Sequence, residues 1–594
     1  MFNARSLICI VTFALLISGL AAVDQPTGAS VLVLANKAWT GPDGSEIGES
    51  ERVARYYMRK RNIPEQNLLV VDLVASDSNY AHFHHQIIAP LAAKLAALRA
   101  GAPTDPILYI VCCYGVPTTI YLPVADKMWF EPHNPKDRVF NDDGSLRLSS
   151  RTRFAIPRAA DSFLSYPHLL AKLRDDEVPD AGIYGFGGVF DKYGFAPPVV
   201  HPYYGLAVKP GDPPNPEPLG IGYALSQQTE RAMSFAEARA KDPKQFAYYL
   251  VCRIDAPNPV AARSLVDKAL YAETYLQHPS VAKTTKTECV FDLGEFEVTN
   301  AQIQDAIDWF SGKIAGSPFT KTPWPMIVDT ATKAGEEIGV ADAKGIPYPP
   351  NDTRFAGRTF PISNSLFYYG QYTTYGRYQD VYQWAVGSVG VHMDSGSCSN
   401  LHAQNYDAFA TNPEPGDELR VGFVPHALVR NLTAAAGVVH EPYENGIAAA
   451  NFLFRSLSLG LPFADACYSA TRDIWWKSIF IGDPLYRPFG LPKRLDDQAP
   501  VILEQCLAKA GEADRCTLTV TTDKPCQFQV SSGGHELRPF TKWGATWADR
   551  DWFYACECSV TVPTTAIGPE GVTVSVRSPA GLEARVVVAL DGGR

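Results

Sequence analysis

The chain has 594 residues, room for two to four domains with sizeable cores. Its net charge of -10 at pH 7 argues against a basic nucleic-acid-binding face. Hydrophobic residues at 46% and charged residues at 20% are ordinary for a globular protein and exclude a disordered chain.

Residues 1–22 read as a secretory signal peptide. Arg5 is the positive n-region, 7–20 is the apolar core, and Gly19-Leu20-Ala21-Ala22 offers small residues for cleavage. The apolar run is short of the roughly 20 residues a membrane span needs, and no later stretch reaches that length. The mature chain is expected to be exported, periplasmic or extracellular, with no stable membrane span.

Strand 31–34 ends at Asn36. Helix 50–60 follows, with an apolar stripe of Val53, Ala54, Tyr57 and Met58, then strand 67–73, helix 81–100 and strand 107–113. This β-α-β-α-β order predicts a parallel sheet with helices on its faces. The stretch 121–243, rich in Pro, Gly and aromatics, reads as a long insertion with one helix at 159–173. Strand 247–254 and helix 260–275 complete a first α/β subdomain at 27–280. A second, at 284–490, is expected from strands 289–293, 326–329, 365–369, 386–391 and 438–439. Its helices are 299–313, 425–434, 451–459 and 463–472, and it closes at 479–488. A charged, Pro-flanked linker at 491–500 leads to 500–594. There, β-branched runs at 516–521, 526–531, 558–562, 572–576 and 584–590 predict an immunoglobulin-like β-sandwich.

Eleven cysteines remain without Cys9. Cys506, Cys516, Cys526, Cys556 and Cys558 crowd the tail, where disulfides would suit an oxidising compartment. Cys112 and Cys113, within an apolar run, are expected to be buried free thiols. No CxxC pair or Cys/His spacing of a structural zinc site occurs, and no cofactor is expected.

The chemistry concentrates at 386–400, VGSVGVHMDSGSCSN: an apolar strand, then a small polar loop with His392, Asp394, Ser395 and Cys398. A second such unit runs from 434–439 into His440-Glu441-Pro442-Tyr443. If both strands lie in one parallel sheet, their loops meet at one edge. As a nucleophile, Cys398 would need a base such as His392, His402 or His440 within hydrogen-bond reach. Alternatively His392, Asp394, His440 and Glu441 could form an N/O metal set, though the spacing matches no known motif. The bland reading has Asp394 and Glu441 tying loops to the sheet. Arg253 and Asp255 would pair with each other or with the Tyr114 loop, and Asp483 would fix the turn before Pro484. His82 and His85 share a helix face and read as a solvated helix start.

Several stretches resemble a known family: Val251-Cys252-Arg253-Ile254-Asp255-Ala256-Pro257, Phe367-Tyr368-Tyr369-Gly370, Val389-Gly390-Val391-His392-Met393-Asp394-Ser395, His440-Glu441-Pro442-Tyr443 and 480–488. Together, over 30–490, they are similar to an uncharacterised family of exported bacterial proteins found in exosortase-carrying species. That resemblance implies no assigned reaction. A second resemblance is to the gingipain-type cysteine peptidases of the caspase-like fold. It rests on paired α/β subdomains, a C-terminal immunoglobulin-like domain and a closing Gly482-Asp483-Pro484. It implies three-layer α/β subdomains with mostly parallel sheets, and Cys398 as the matching nucleophile. Gln371, in Tyr369-Gly370-Gln371, stands where that family's histidine would be, and it cannot take a proton.

The sequence thus predicts a caspase-like exported protein of the cell envelope. Its expected role is non-catalytic binding or assembly with a protein or peptide partner. The alternatives are a hydrolase using Cys398 with His392 or His440, and a metal enzyme. The residues expected at a bound partner or substrate are Asp394, Ser395, Tyr369, Gly370, Gln371, Glu441 and Tyr443.

Overall fold

The computed structural model describes residues 26–39, 48–73, 80–100, 102, 104–122, 156–172, 202–205, 233–275, 287–330, 362–371, 382–399, 401–402, 422–440, 446–472, 477–489, 494–509, 514–538 and 554–590. The signal segment, most of the 121–243 insertion and the boundary expected near 280–284 lie outside these residues.

Ten strands form one sheet. They are β1 (Val31–Asn36), β2 (Leu68–Val71), β3 (Tyr109–Cys113), β6 (Leu250–Ile254), β7 (Glu288–Asp292), β8 (Met326–Asp329), β9 (Ile362–Gln371), β10 (Tyr382–Met393), β11 (Ala434–Val438) and β12 (Ser478–Ile481). A small antiparallel hairpin pairs β4 (Thr119–Leu122) with β5 (Ile156–Ala159). The sheet order is β2-β1-β3-β6-β12-β11-β10-β9-β7-β8. Every pairing is parallel except β11 with β12. The first five strands in that order therefore run one way and the last five the other. β1, β3, β6 and β11 are buried at every position, as strands covered on both faces must be. Their near-continuous apolar composition makes them readable from sequence.

Helix Glu49–Arg61 buries Val53, Ala54, Tyr56, Tyr57 and Met58 and stops at Asn62, whose φ of 53° is left-handed. The expected helix 81–100 is not uniform. A π turn, His84–Ile88, precedes the Ala89–Arg99 segment. Pro90 lacks an N–H, and its ring would clash with the carbonyl four residues back, so the ladder widens there. The expected helix 425–434 is shorter, Phe423–Val429, and Ala434 opens strand β11. Alanine's helix preference yields to burial between β10 and β12. Among the described residues no helix is long and apolar enough to cross a membrane.

The tail forms a separate antiparallel sheet system with its own core of Leu507, Leu518, Val520, Phe528, Val530, Val574 and neighbours. Its strands are β13 (Ile502–Lys509), β14 (Arg515–Ser532), β15 (His535–Arg538), β16 (Ala555–Pro563), β17 (Val572–Arg577) and β18 (Glu583–Val588). The two runs expected at 516–521 and 526–531 are one strand, β14. Its first half pairs β13 and β16, and its second half pairs β15 and β17. The change of partners falls around Pro525, which has no N–H to give a ladder.

The tail disulfides do not form: all eleven described cysteines are free. Register explains this. Cys506 faces Thr519, Cys516 faces Lys509 and Val562, Cys558 faces Val520, and Cys526 faces Ala555. No two are cross-strand partners. Cys112 and Cys113 are buried free thiols, as expected. The 491–500 linker is pinned at Asp496, which accepts from Lys524 Nζ at 2.6 Å and from the Tyr271 hydroxyl at 2.9 Å.

Candidate functional site

β10 and β11 pair in parallel, Val389 with Ala434 through Val391 with Ala436, so their loops do meet at one edge. The β10 loop then folds back onto the sheet. Cys398 N–H donates to Val438 O at 2.9 Å, and Val438 N–H donates to Ser397 Oγ at 3.1 Å. The Ser399 hydroxyl donates to Val439 O at 3.1 Å. Gly437 makes this possible: a Cβ there would collide with Cys398 Sγ and lie 2.8 Å from Ser397 Oγ. Cys398 is 1% exposed. Burial pushes its thiol well above the ordinary range, with the Ser397 hydrogen bond opposing the shift. Among the described residues no histidine hydrogen-bonds it. Gly437→Ala should therefore expel the loop and make Cys398 labelled by a thiol reagent in the native protein, at a cost of about 1–3 kcal/mol in the urea midpoint.

None of the three candidate bases hydrogen-bonds Cys398 among the described residues. His392 is buried, its Nδ1 hydrogen-bonds the Tyr368 hydroxyl at 3.0 Å, and its ring stacks on Phe423 with centroids 4.2 Å apart. Burial lowers its pKa to about 3, so the ring stays neutral. His440 is exposed. His402 pairs with Asp255, as described below.

The other candidates are structural in their contacts. Tyr369 donates its hydroxyl to Ala448 O at 3.0 Å. At Gly370 a Cβ would run into the Tyr368 hydroxyl. Gln371 donates from Nε2 to Asn300 Oδ1 at 2.8 Å and accepts from Phe296 N–H at 3.3 Å. Asp394 and Ser395 are half-buried in the loop, and Glu441 and Tyr443 lie outside the described residues. Among the described residues no three His, Cys, Asp or Glu side chains are placed to hold a metal, so His392, Asp394 and His440 are not a ligand set. Asp483 does fix its turn, accepting from Leu485 N–H at 3.0 Å, and also receives the Tyr57 hydroxyl and Arg61.

Topology gives a second place to look. Ligand crevices in open α/β sheets form outside strand carboxyl ends where the strand order reverses. Here that happens twice. β1 lies between β2 and β3, and β7 lies between β8 and β9. The β7/β9 crevice is filled, because Gln371 lies against Gly294 and is clasped by Asn300. The β1/β3 crevice is closed as well: buried Asn36, at the end of β1, donates from Nδ2 to Leu73 O at 2.9 Å and to Gly115 O at 3.1 Å. Trp39 follows β1, and Tyr114 and Gly115 follow β3. Gly115 has φ +83°, and a Cβ there would run into the Trp39 indole. Trp39 and Tyr114 meet edge to face at 5.8 Å, and His402 packs against both, with ring centroids 4.8 Å from Trp39 and 5.1 Å from Tyr114. Its Nε2 lies 2.7 Å from Asp255 Oδ1.

Asp255, fully buried, also accepts from Ala256 N–H at 3.0 Å and from Arg253 Nη1 at 3.3 Å. Arg253 in turn donates to Asp161 Oδ1 from Nε at 2.9 Å and from Nη2 at 2.5 Å, and to the carbonyls of Val116 and Pro117. Arg253 thus does both things expected of it: it pairs with Asp255 and holds the Tyr114 loop. Asp161 and Trp39 carry no sequence signal. Nor does the meeting of His402 with Asp255, 147 residues apart.

No family model matches the chain, and no curated protein matches it. Among solved structures, one called "Structure of Protease" aligns over 95% of this chain and 97% of its own length. Its TM-score is 0.31 and its identity 8%, too low to carry an argument about fold or activity.

Proposed function

We propose that this chain is an exported cell-envelope protein on a caspase-like scaffold, with an immunoglobulin-like tail, that acts by binding or assembly rather than as a cysteine peptidase. The observation that supports this is the setting of Cys398: buried over Gly437, its thiol held protonated, with no histidine bonded to it among the described residues. A nucleophilic cysteine needs the opposite, an accessible thiolate beside a base or a cation. The likeness of its motifs to the exported family of exosortase-carrying species belongs to the same reading, as does a protein or peptide partner.

Thiol reactivity tests it. The native protein is alkylated at mildly acidic pH, where an ordinary thiol of pKa near ~8.5 is almost inert, and the modified residue is mapped by mass spectrometry. Cys398 is expected to stay unmodified until the chain is denatured. Rapid, selective modification of native Cys398 would overturn the reading.

A further inference from the structure

We propose that Lys268 is a pH-sensitive latch on the junction between the sheet and the tail: as a neutral amine it holds segment 431–433 closed, and on taking up a proton it leaves the interior and lets that segment open. This goes beyond the binding role and does not use Cys398.

The segment is tied to strand, tail and helix at once. Asn431 has a left-handed φ of 90°, a backbone region that disfavours side chains, though asparagine enters it. Its Nδ2 donates to Trp384 O of β10 at 2.8 Å, and its Oδ1 accepts from the tail's Tyr554 N–H at 3.1 Å. Thr433 N–H donates to Ser388 O at 3.2 Å, and the Thr433 hydroxyl accepts from Gly387 N–H at 2.8 Å. Between them, Leu432 O accepts from Lys268 Nζ at 2.8 Å. Lys268 lies on helix Pro259–Tyr275, and the residue before it, Asp267, accepts the tail's Cys556 N–H at 3.0 Å. Two successive residues of one helix thus hold the start of β16, one directly and one through segment 431–433.

Lys268 has no exposed surface. An ammonium would lose its hydration there, so the interior favours the neutral amine. Burial lowers its pKa from 10.5 to about 7, with Asp267 opposing. The charged groups on the elements packed round the helix have other partners. Asp267 receives the Tyr56 hydroxyl at 2.5 Å and Lys60 Nζ at 3.2 Å. Arg61 is bound to Asp483 and Glu273, Arg263 to Glu49 and Glu557, Lys524 to Asp496, and Arg253 to Asp161 and Asp255. Burial keeps the Cys556 thiol and the Tyr56, Tyr57 and Tyr271 hydroxyls protonated and His392 neutral. Arg430, buried two residues before Leu432, carries the same sign as the ammonium.

Proton linkage gives the direction. In the open form the amine is in water and keeps its proton up to about pH 10.5, whereas the closed form keeps it only up to about 7. Between those values opening takes up one proton, so the closed form weakens as pH falls. Below about 7 both forms are charged and the balance is flat. The tail is therefore held most firmly on the alkaline side, and its tie through Asn431 and Tyr554 is weakest at and below neutrality.

The test is amide hydrogen exchange on the full chain, corrected for the intrinsic exchange rate. It reads Leu432, Thr433 and Tyr554, whose N–H groups are all hydrogen-bonded in the closed form. In wild type their opening should be about fiftyfold more frequent at pH 7 than at about pH 9, and within about twofold between about pH 5 and 7. Lys268→Gln keeps a donor for Leu432 O and does not titrate, and Lys268→Met keeps an apolar stem of similar length. Both should give protection that is flat across the range. A flat wild-type profile would overturn the proposal, as would equal slopes in wild type and Lys268→Gln. So would wild-type protection equal to that of Val33 in the sheet core, because the amine would then be released only by global unfolding. If neither variant folds, a carbon-13 titration at lysine Cε in wild type decides: a lysine that titrates near about pH 7 supports the latch, and none doing so overturns it.

Discussion

Arg253→Met should lower the urea midpoint of the α/β region by an amount equivalent to about 3–5 kcal/mol, a large share of the ~5–15 kcal/mol that holds a domain folded. Arg253 has no exposed surface, and its guanidinium is the one cation bonded to Asp161 and Asp255 among the described residues. Methionine fills comparable volume but leaves two buried carboxylates without their counter-charge. The carbonyls of Val116 and Pro117 lose their donor as well. Burial already pushes the Asp161 carboxyl up against the opposing pull of Arg253. Without that pull, burial should hold the carboxyl still higher. Lysine is no rescue, because a single ammonium cannot reproduce the fork that reaches four acceptors at once. The double variant Arg253→Met/Asp161→Leu should recover part of the loss, since removing both partners costs less than stranding one. A midpoint for Arg253→Met within experimental error of wild type would show that the cluster is not a structural keystone.

Much of the first half of the sheet is legible in the sequence. The runs at 31–36, 109–113 and 250–254 are apolar at nearly every position, and only a strand covered on both faces reads that way. The meeting of the loops after β10 and β11 is legible for the same reason. Strand direction is not. Nothing in the four residues of β12 says that they run against β11 and along β6, yet that reversal joins two parallel halves into one sheet. The Ala434-Ala435-Ala436 run favours helix on propensity, and only its neighbours make it a strand. Absent disulfides follow from register, which composition does not contain. In the site, Cys398 attracts notice by its motif, but its burial depends on Gly437 some forty residues later. His402 and Asp255 are each visible as residues. Their pairing is not, because it depends on a loop that crosses the face of the sheet.

Asp465 should give folding stability a pH dependence of its own. The carboxyl is fully buried on helix Phe463–Ala470. It accepts from the Tyr109 hydroxyl at 2.8 Å, Phe235 N–H at 2.7 Å and the Tyr203 hydroxyl at 3.3 Å. Burial outweighs these donors and lifts its pKa from 3.8 to about 6. The native state therefore holds this proton more tightly than the unfolded chain does. Between roughly pH 4 and 6 the native chain binds more protons, so stability falls as pH rises through that window and is flat above it. A shift of about two units corresponds to about 3 kcal/mol. Asp465→Asn removes the charge and keeps an acceptor. It should flatten the urea midpoint against pH between 4 and 6 and leave the neutral-pH midpoint equal or higher. Asp465→Ala should behave in the opposite way. It strands the Phe235 N–H and the Tyr109 hydroxyl in the core, at about 1–3 kcal/mol for each group left without a partner, while the Tyr203 hydroxyl keeps Met233 O at 2.8 Å. If Asp465→Asn retained the full wild-type pH slope, the carboxyl would not be the titrating group. Because Tyr109 lies on β3 and Phe235 lies near the end of the 121–243 insertion, this one carboxylate ties the insertion's return to the sheet. Loss of its hydrogen bonds should therefore loosen β3 at the end away from Tyr114, detectable as faster amide exchange at Tyr109 and Ile110 than at Cys112.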